Sequence, residues 1–308
     1  MASPNGRNLY AVNWKGDDRD KQGDTVSAFA IDHKTGKLTF LNKVTSKGEM
    51  PTNLTTDHTG KTLLQVSYTG GNIAGYRIEA DGRLSEPTTY FEHRGKSVHQ
   101  VNGPHSHGVI VSPDNKHAFV GEVGLDQVRS YGLDAAKSTL TPSDPPFISV
   151  KPGTAPRHLA FHPSGKFLYT NDESRPAVTV FQVDGGHLKE IQEVPAIPAD
   201  FTGRNATAEI QIDRKGRFVY VSNRGHDSIA VFSVDQNTGF LTPVQHASTQ
   251  GKNPRNFSLD PTGEYLFAAN QNSDTVVPFK VDPNTGKLTS TGQPIQVPKP
   301  VCVLFVKV

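Results

Sequence analysis

Cysteine is almost absent from this chain: Cys302 is the only one in 308 residues. An intrachain disulfide and a cysteine-based zinc cluster are therefore excluded. Long apolar runs are missing as well. No stretch of about 18 apolar residues exists, so no membrane-spanning helix is available. The opening MASPNGRNLY has no apolar stretch of signal-peptide length. Neither charge sign dominates, with 32 basic against 30 acidic residues and a net charge of +2. That balance argues against binding nucleic acid through its phosphates as a main task. Asp, Glu and His do not fall in a metal-ligand grouping, so no metal and no cofactor is expected. These absences predict a soluble, cytoplasmic protein with neither nucleic-acid nor membrane partners; the residues leave the oligomeric state open, with a monomer expected.

Glycine and proline, by contrast, are plentiful, at 28 and 22 residues. Both break helix interiors, so a long helical bundle is excluded. The turns they mark recur. PTNLTTDHTGKTLLQVSYTGG begins at Pro51, HGVIVSPDNKHAFVGEVG at His107 and PRHLAFHPSGKFLYTNDES at Pro156. TAEIQIDRKGRFVYVSNRG begins at Thr207 and PRNFSLDPTGEYLFAANQN at Pro254. The period is about 45 to 53 residues.

Each unit has the same order: a short alternating apolar segment, then a tight turn of the type D/H-P-S/T/D-G-K. Gly165, Gly216 and Gly263 stand in that turn where positive φ is needed. An aromatic-rich run follows, such as Phe218 to Val221, then a polar loop and a third strand. An N-T-G turn leads to a short fourth strand. Four strands per repeat at this period predict an all-β fold, a β-propeller of four-stranded blades. Six blades are counted, in a single domain over 1–308. The N-terminal unit starts mid-blade and the segment 299–306 reads as a lone first strand. The C-terminal strand is therefore expected to pair in the N-terminal blade and close the ring, which removes open edges.

A repeat is its own control: equivalent positions that only pack should carry similar residues. The position five before the turn reads Thr52, His107, Arg157, Ala208, Arg255. First strands line the channel of a propeller, so two arginines and a histidine are expected at one depth. A second position, seven after the turn Lys/Arg, reads Trp14, Tyr68, Val123, Glu173, Arg224, Gln271. There a carboxylate and a guanidinium replace aromatic or aliphatic groups. A third, one after the first, reads Asn53, Gly108, His158, Glu209, Asn256, and strand alternation should turn it to the other face. The loop residues Asn102, His105, Asn223 and His226 lie nearby in sequence. Clustered arginines select an anion through forked hydrogen bonds and keep a neighbouring carboxylate ionised. A guanidinium at a carbonyl oxygen stabilises a tetrahedral intermediate, and His107 can pass a proton near neutral pH. The bland alternative is a salt-bridge network that locks blades together.

The runs P-R-H-x-x-F-H-P-x-G, N-R-G-H-D-S-I and the terminal strand, in that order, resemble the propeller-type 6-phosphogluconolactonase and carboxymuconate-cyclase-like lactonase family. The resemblance extends from about Asn5 to Val306. It implies an anion-binding active site at one channel mouth. It places the implicated His, two Arg and Glu on His107, Arg157, Arg224 and Glu173, the residues the repeat comparison singles out. Arg255 adds a cation for a phosphate or carboxylate, and His105, Asn256, Gln271 and Tyr68 are further substrate-binding candidates. The family is normally seven-bladed, and its opening blade is missing from this sequence. The expected function is hydrolysis of a sugar-acid lactone, foremost 6-phosphogluconolactone to 6-phosphogluconate in the pentose phosphate pathway, without metal or cofactor. The alternatives are a carboxymuconate lactonising isomerase that uses the same residues, and a non-enzymatic binding scaffold. Cys302, in an alternating apolar strand, is expected to be packing rather than a nucleophile.

Overall fold

The structure, a computed structural model, describes residues 1–14, 24–96 and 103–306. Its strands form six antiparallel sheets among the described residues. The first holds β1 (Asn8–Asn13), β2 (Thr25–Ile31) and β3 (Leu38–Thr45). The second holds β4 (Glu49–Thr56), β5 (Thr62–Thr69), β6 (Asn72–Ile78) and β7 (Leu84–Glu92). The third holds β8 (Ser106–Val111), β9 (His117–Glu122), β10 (Gln127–Asp134) and β11 (Thr139–Ser149). The fourth is β12 (Pro156–Phe161), β13 (Phe167–Asp172), β14 (Ala177–Asp184) and β15 (His187–Pro195). The fifth is β16 (Ala206–Ile212), β17 (Phe218–Arg224), β18 (Ser228–Val234) and β19 (Leu241–Ser248). The sixth is β20 (Pro254–Leu259), β21 (Tyr265–Asn270) and β22 (Thr275–Val281), with an interrupted outer strand made of β23 (Leu288–Ser290) and β24 (Ile295–Gln296). Each sheet is a meander in chain order, the all-β blade pattern the repeat predicts.

By contacts the chain groups into two compact units. The first comprises Met1–Ala155 and Gly185–His187, the second Pro156–Asp184 and Leu188–Phe305. Within each unit the core lies between the faces of consecutive sheets. Tyr169, Val180, Val219, Val221 and Phe232 form one such cluster, and Tyr220, Phe257, Leu266 and Phe279 the next. Leu64, Val66, Val120 and Tyr131, and then Tyr10, Val26, Leu63 and Tyr76, do the same in the first unit. The second strands β5, β9, β13 and β17 are buried along most of both faces, which is why they read as largely apolar runs.

The predicted turns form. Gly165, Gly216 and Gly263 have φ of 73°, 72° and 77°, and each N–H donates to the carbonyl three residues back. A recurrent tyrosine ties one sheet to the next. Tyr169 and Tyr220 are fully buried, and their hydroxyls donate to the carbonyls of Gly239 and Gly286, each at 3.1 Å. Gly239 has φ of 75°, and a Cβ there would lie 2.5 Å from the Phe167 ring.

The expected closing strand is not formed. Residues 301–306 carry no strand pairing, and the first sheet has three strands. The reason is local. Lys299 takes a positive φ of 42°, and the Val303 N–H donates 2.8 Å to Oδ1 of Asn256 instead of to a strand carbonyl. Phe305 packs edge-on to Phe267. Cys302 is exposed rather than packed.

Candidate active site

The first strands of the second to sixth sheets share an irregularity that spacing does not reveal. Pairing skips between Pro51 and Asn53, Ser106 and Gly108, Pro156 and His158, Thr207 and Ile210, and Pro254 and Asn256. The skipped positions hold Thr52, His107, Arg157, Ala208 and Arg255, the first tier of the repeat comparison, and in the fifth sheet Glu209 as well. A β-bulge bends the strand and re-aims its side chains. It also breaks alternation, so the expectation that the third tier turns to the opposite face fails at His158. The His158 Nε2 lies 3.4 Å from Nη1 of Arg157, the preceding residue.

Arg157 and Arg224 converge on Glu173. Glu173 follows the last residue of β13, Arg224 ends β17, and Arg157 sits in the β12 bulge. Arg224 Nη2 donates to Glu173 Oε1 and, at 2.9 Å, to the Thr207 carbonyl. Arg157 Nε lies 3.7 Å from Glu173 Oε2, and its Nη1 donates to the Ala208 carbonyl. Arg157 is 2% exposed, while the side chains of Glu173 and Arg224 are 21% and 13% exposed. Burial presses the Arg157 pKa down to about 9 against the pull of Glu173, so the side chain stays cationic at neutral pH. Burial works against the Glu173 charge, but Arg157 and Arg224 outweigh it and hold the carboxyl below its ordinary range. The charge of Arg255 acts on both Arg157 and Glu173. The site is thus an ionised carboxylate set among guanidinium groups from three sheets.

The other candidates of this unit are each held by hydrogen bonds of their own. Asn256 Nδ2 donates to Glu209 Oε2 at 2.6 Å. Gln271 Oε1 accepts from Asn253 Nδ2 at 2.9 Å. Asn223 reaches the Ala196 carbonyl at 2.7 Å and His226 bonds Ser228 at 2.7 Å, so both brace loops. A cavity of about 770 Å³ between Lys189 and the Asn237–Phe240 turn contains none of these residues.

In the first unit, Tyr68, His105 and His107 come together. The His105 ring stacks on Tyr68 at 4.3 Å between centroids, and its Nδ1 lies 2.9 Å from the Tyr68 carbonyl. The ring of His107 meets Tyr68 edge-on at 5.9 Å. Asn102 lies outside the described residues. Sequence reasoning missed what holds this segment. Glu122 is wholly buried and accepts from the His105 N–H, from Ser106 Oγ at 2.6 Å and from His93 Nδ1 at 2.6 Å. The far nitrogen of His93 lies 2.7 Å from the Tyr131 hydroxyl, and burial lowers the His93 pKa despite Glu122. A signal existed: one residue before the second tier the repeats read Ser67, Glu122, Asp172, Asn223, Asn270, with acids in two adjacent repeats.

The sequence profile described as "Lactonase, 7-bladed beta-propeller" matches residues 1–305. The chain belongs to this lactonase family. It is 37% identical over 300 residues to a 6-phosphogluconolactonase of Bacillus subtilis, covering 96% of this chain and 83% of that one. It is 31% identical over 264 residues to a 6-phosphogluconolactonase of Formosa agariphila, covering 83% of this chain and 73% of that one. The structure of a periplasmic gluconolactonase of Pseudomonas aeruginosa superposes with a TM-score of 0.92 at 32% identity, over 99% of this chain and 86% of that one. The family description counts seven blades, whereas six sheets are present among the described residues here. No helix of the described residues is long and apolar enough to cross a membrane.

Proposed function

We propose that this lactonase-family chain hydrolyses 6-phosphogluconolactone to 6-phosphogluconate. The observation that carries the reading is the Glu173 carboxylate held against both Arg157 and Arg224. A water next to Glu173 attacks the lactone carbonyl carbon and gives its proton to the carboxylate. The developing oxyanion is met by guanidinium N–H groups. The bond from the carbonyl carbon to the ring oxygen then breaks, and the ring oxygen leaves with a proton. The lowered pKa of Glu173 keeps it ionised at neutral pH at the cost of basicity, so the arginines carry much of the electrophilic assistance. Arg255 supplies the further cation for the substrate phosphate, with Asn256 next to it in sequence and Gln271 following Asn270, the residue that pairs with Pro254.

The roles of His107 as proton relay and of His105 and Tyr68 as binding residues rest on the sequence motif and the repeat comparison. His107→Asn tests the relay apart from the arginine–glutamate group. The decisive measurement is lactone hydrolysis above the spontaneous rate, with Glu173→Gln as the control. Equal rates for the two proteins reject Glu173 as the base. Cell fractionation checks the cytoplasmic location that belongs to this proposal; recovery from the periplasm would instead align the chain with its Pseudomonas neighbour.

A further inference from the structure

Arg157 has a second set of neighbours besides Glu173. Its Nη1 carries two hydrogens. One is donated to the Ala208 carbonyl, and the other faces His158 Nε2 at 3.4 Å. A guanidinium has no acceptor, so Nε2 must be the lone-pair nitrogen, and the proton of a neutral imidazole then sits on Nδ1. Nδ1 lies 3.1 Å from Glu209 Oε1, an acceptor suited to that tautomer. Glu209 is itself fixed from three directions: by His158, by the Ile210 N–H at 3.1 Å and by Asn256 Nδ2 at 2.6 Å. Asn256 in turn holds the Val303 N–H through its Oδ1. The chain of contacts thus runs from the C-terminal segment to the arginine beside Glu173.

We propose that His158 and Glu209 are positioning residues for Arg157: the neutral imidazole, oriented by Glu209, accepts from Nη1 and sets the guanidinium in the plane that serves Glu173 and the substrate oxyanion. Protonating His158 would place an N–H and a positive charge against the arginine and release it. The charged groups that face His158 are Glu209 on β16, Arg157 on its own strand and Glu173 just beyond β13. Asp172, on β13, turns its carboxyl to Thr170 and Thr179 instead. Burial lowers the His158 pKa against the opposing pull of Glu209, so the arrangement holds at neutral pH and fails on acidification. Second-layer couples of this kind matter because small misplacements of a reacting group cost rate steeply.

The inference rests on the function proposed above, and the test separates the two. Rates on 6-phosphogluconolactone are measured against pH for the full chain and for His158→Gln, His158→Leu, Glu209→Gln and Glu173→Gln. His158→Leu removes the acceptor and should lower kcat by about tenfold or more, with KM little changed. His158→Gln offers an uncharged amide oxygen to Nη1. It should recover most of the rate and abolish the acid limb that His158 imposes. Glu209→Gln should move that limb to lower pH, because the carboxylate that favours the imidazolium is gone. The proposal is overturned if His158→Gln keeps the wild-type acid limb, or if folded His158→Leu turns over at the wild-type rate. Should the Leu variant not fold, the Gln variants decide alone. No turnover above the spontaneous rate in the full chain would sink the proposed function, and wild-type turnover in Glu173→Gln would reject Glu173 as its base. An inactive Glu173→Gln beside His158 and Glu209 variants with unchanged profiles would sink only this inference.

Discussion

Arg157 Nε lies 3.7 Å from Glu173 Oε2, an ion pair that stops short of a hydrogen bond. That buried Nε makes no hydrogen bond among the described residues. An unmade bond at a buried donor is costly, so a substrate oxygen that reaches this Nε gains a ready donor. Glu173→Gln keeps the shape and removes the charge. It is expected to lower kcat/KM for the lactone by about 100-fold or more, read by initial rates above the spontaneous reaction.

Arg255 is assigned to the substrate phosphate. Arg255→Ala should raise KM for 6-phosphogluconolactone by about tenfold or more. The same substitution should leave KM for unphosphorylated gluconolactone nearly unchanged. Equal effects on both substrates would move Arg255 from phosphate binding to support of Arg157 and Glu173.

Asp172, next to the proposed base, is fully buried, and burial lifts its pKa well above the ordinary 3.8 despite hydrogen bonds from Thr179 and Thr170. The folded protein thus keeps a proton that the unfolded chain releases above about pH 4. The stabilisation from this group is complete below the unfolded value and is lost as pH rises through the folded one. Asn does not titrate, and Asn223 and Asn270 occupy the matching positions of later repeats. Asp172→Asn should therefore raise Tm by roughly 2–4 °C at pH 7 and leave it unchanged near pH 3. Calorimetry at the two pH values checks the sign.

Glu122 is a buried carboxylate with three donors. Glu122→Ala strands the His105 N–H, Ser106 and His93 without their common acceptor. Stability should fall by about 3–5 kcal/mol, measured by urea unfolding.

Gly239 combines positive φ with a near approach to Phe167. Gly239→Ala should cost about 1–3 kcal/mol. Gly36 shares the positive φ but has nothing within 4 Å of its would-be Cβ, so Gly36→Ala, carrying strain without the clash, should cost less.

Much of this was legible in the residues. The repeat of strand, Gly turn and aromatic strand gave the all-β blades, because alternation and turn chemistry are local. The repeat comparison also singled out Arg157, Glu173 and Arg224, which depart in charge from their equivalents and meet in space. The closing strand was misread because Lys299 and Asn256 divert the C-terminal segment, a competition that strand propensity does not register. Glu122 and His93 were missed because their partners lie in other strands of the fold.

Sequence alone determined the kind of strands, their number per repeat and which positions carry unmatched charge. Those properties follow from side-chain period and backbone freedom. Tertiary structure alone decided that each first strand of the second to sixth sheets skips one residue, or two in the fifth sheet, as it pairs. That skip brings Arg157 and His158 together on one side, a result set by hydrogen bonding between neighbouring strands, which no spacing within a single strand encodes.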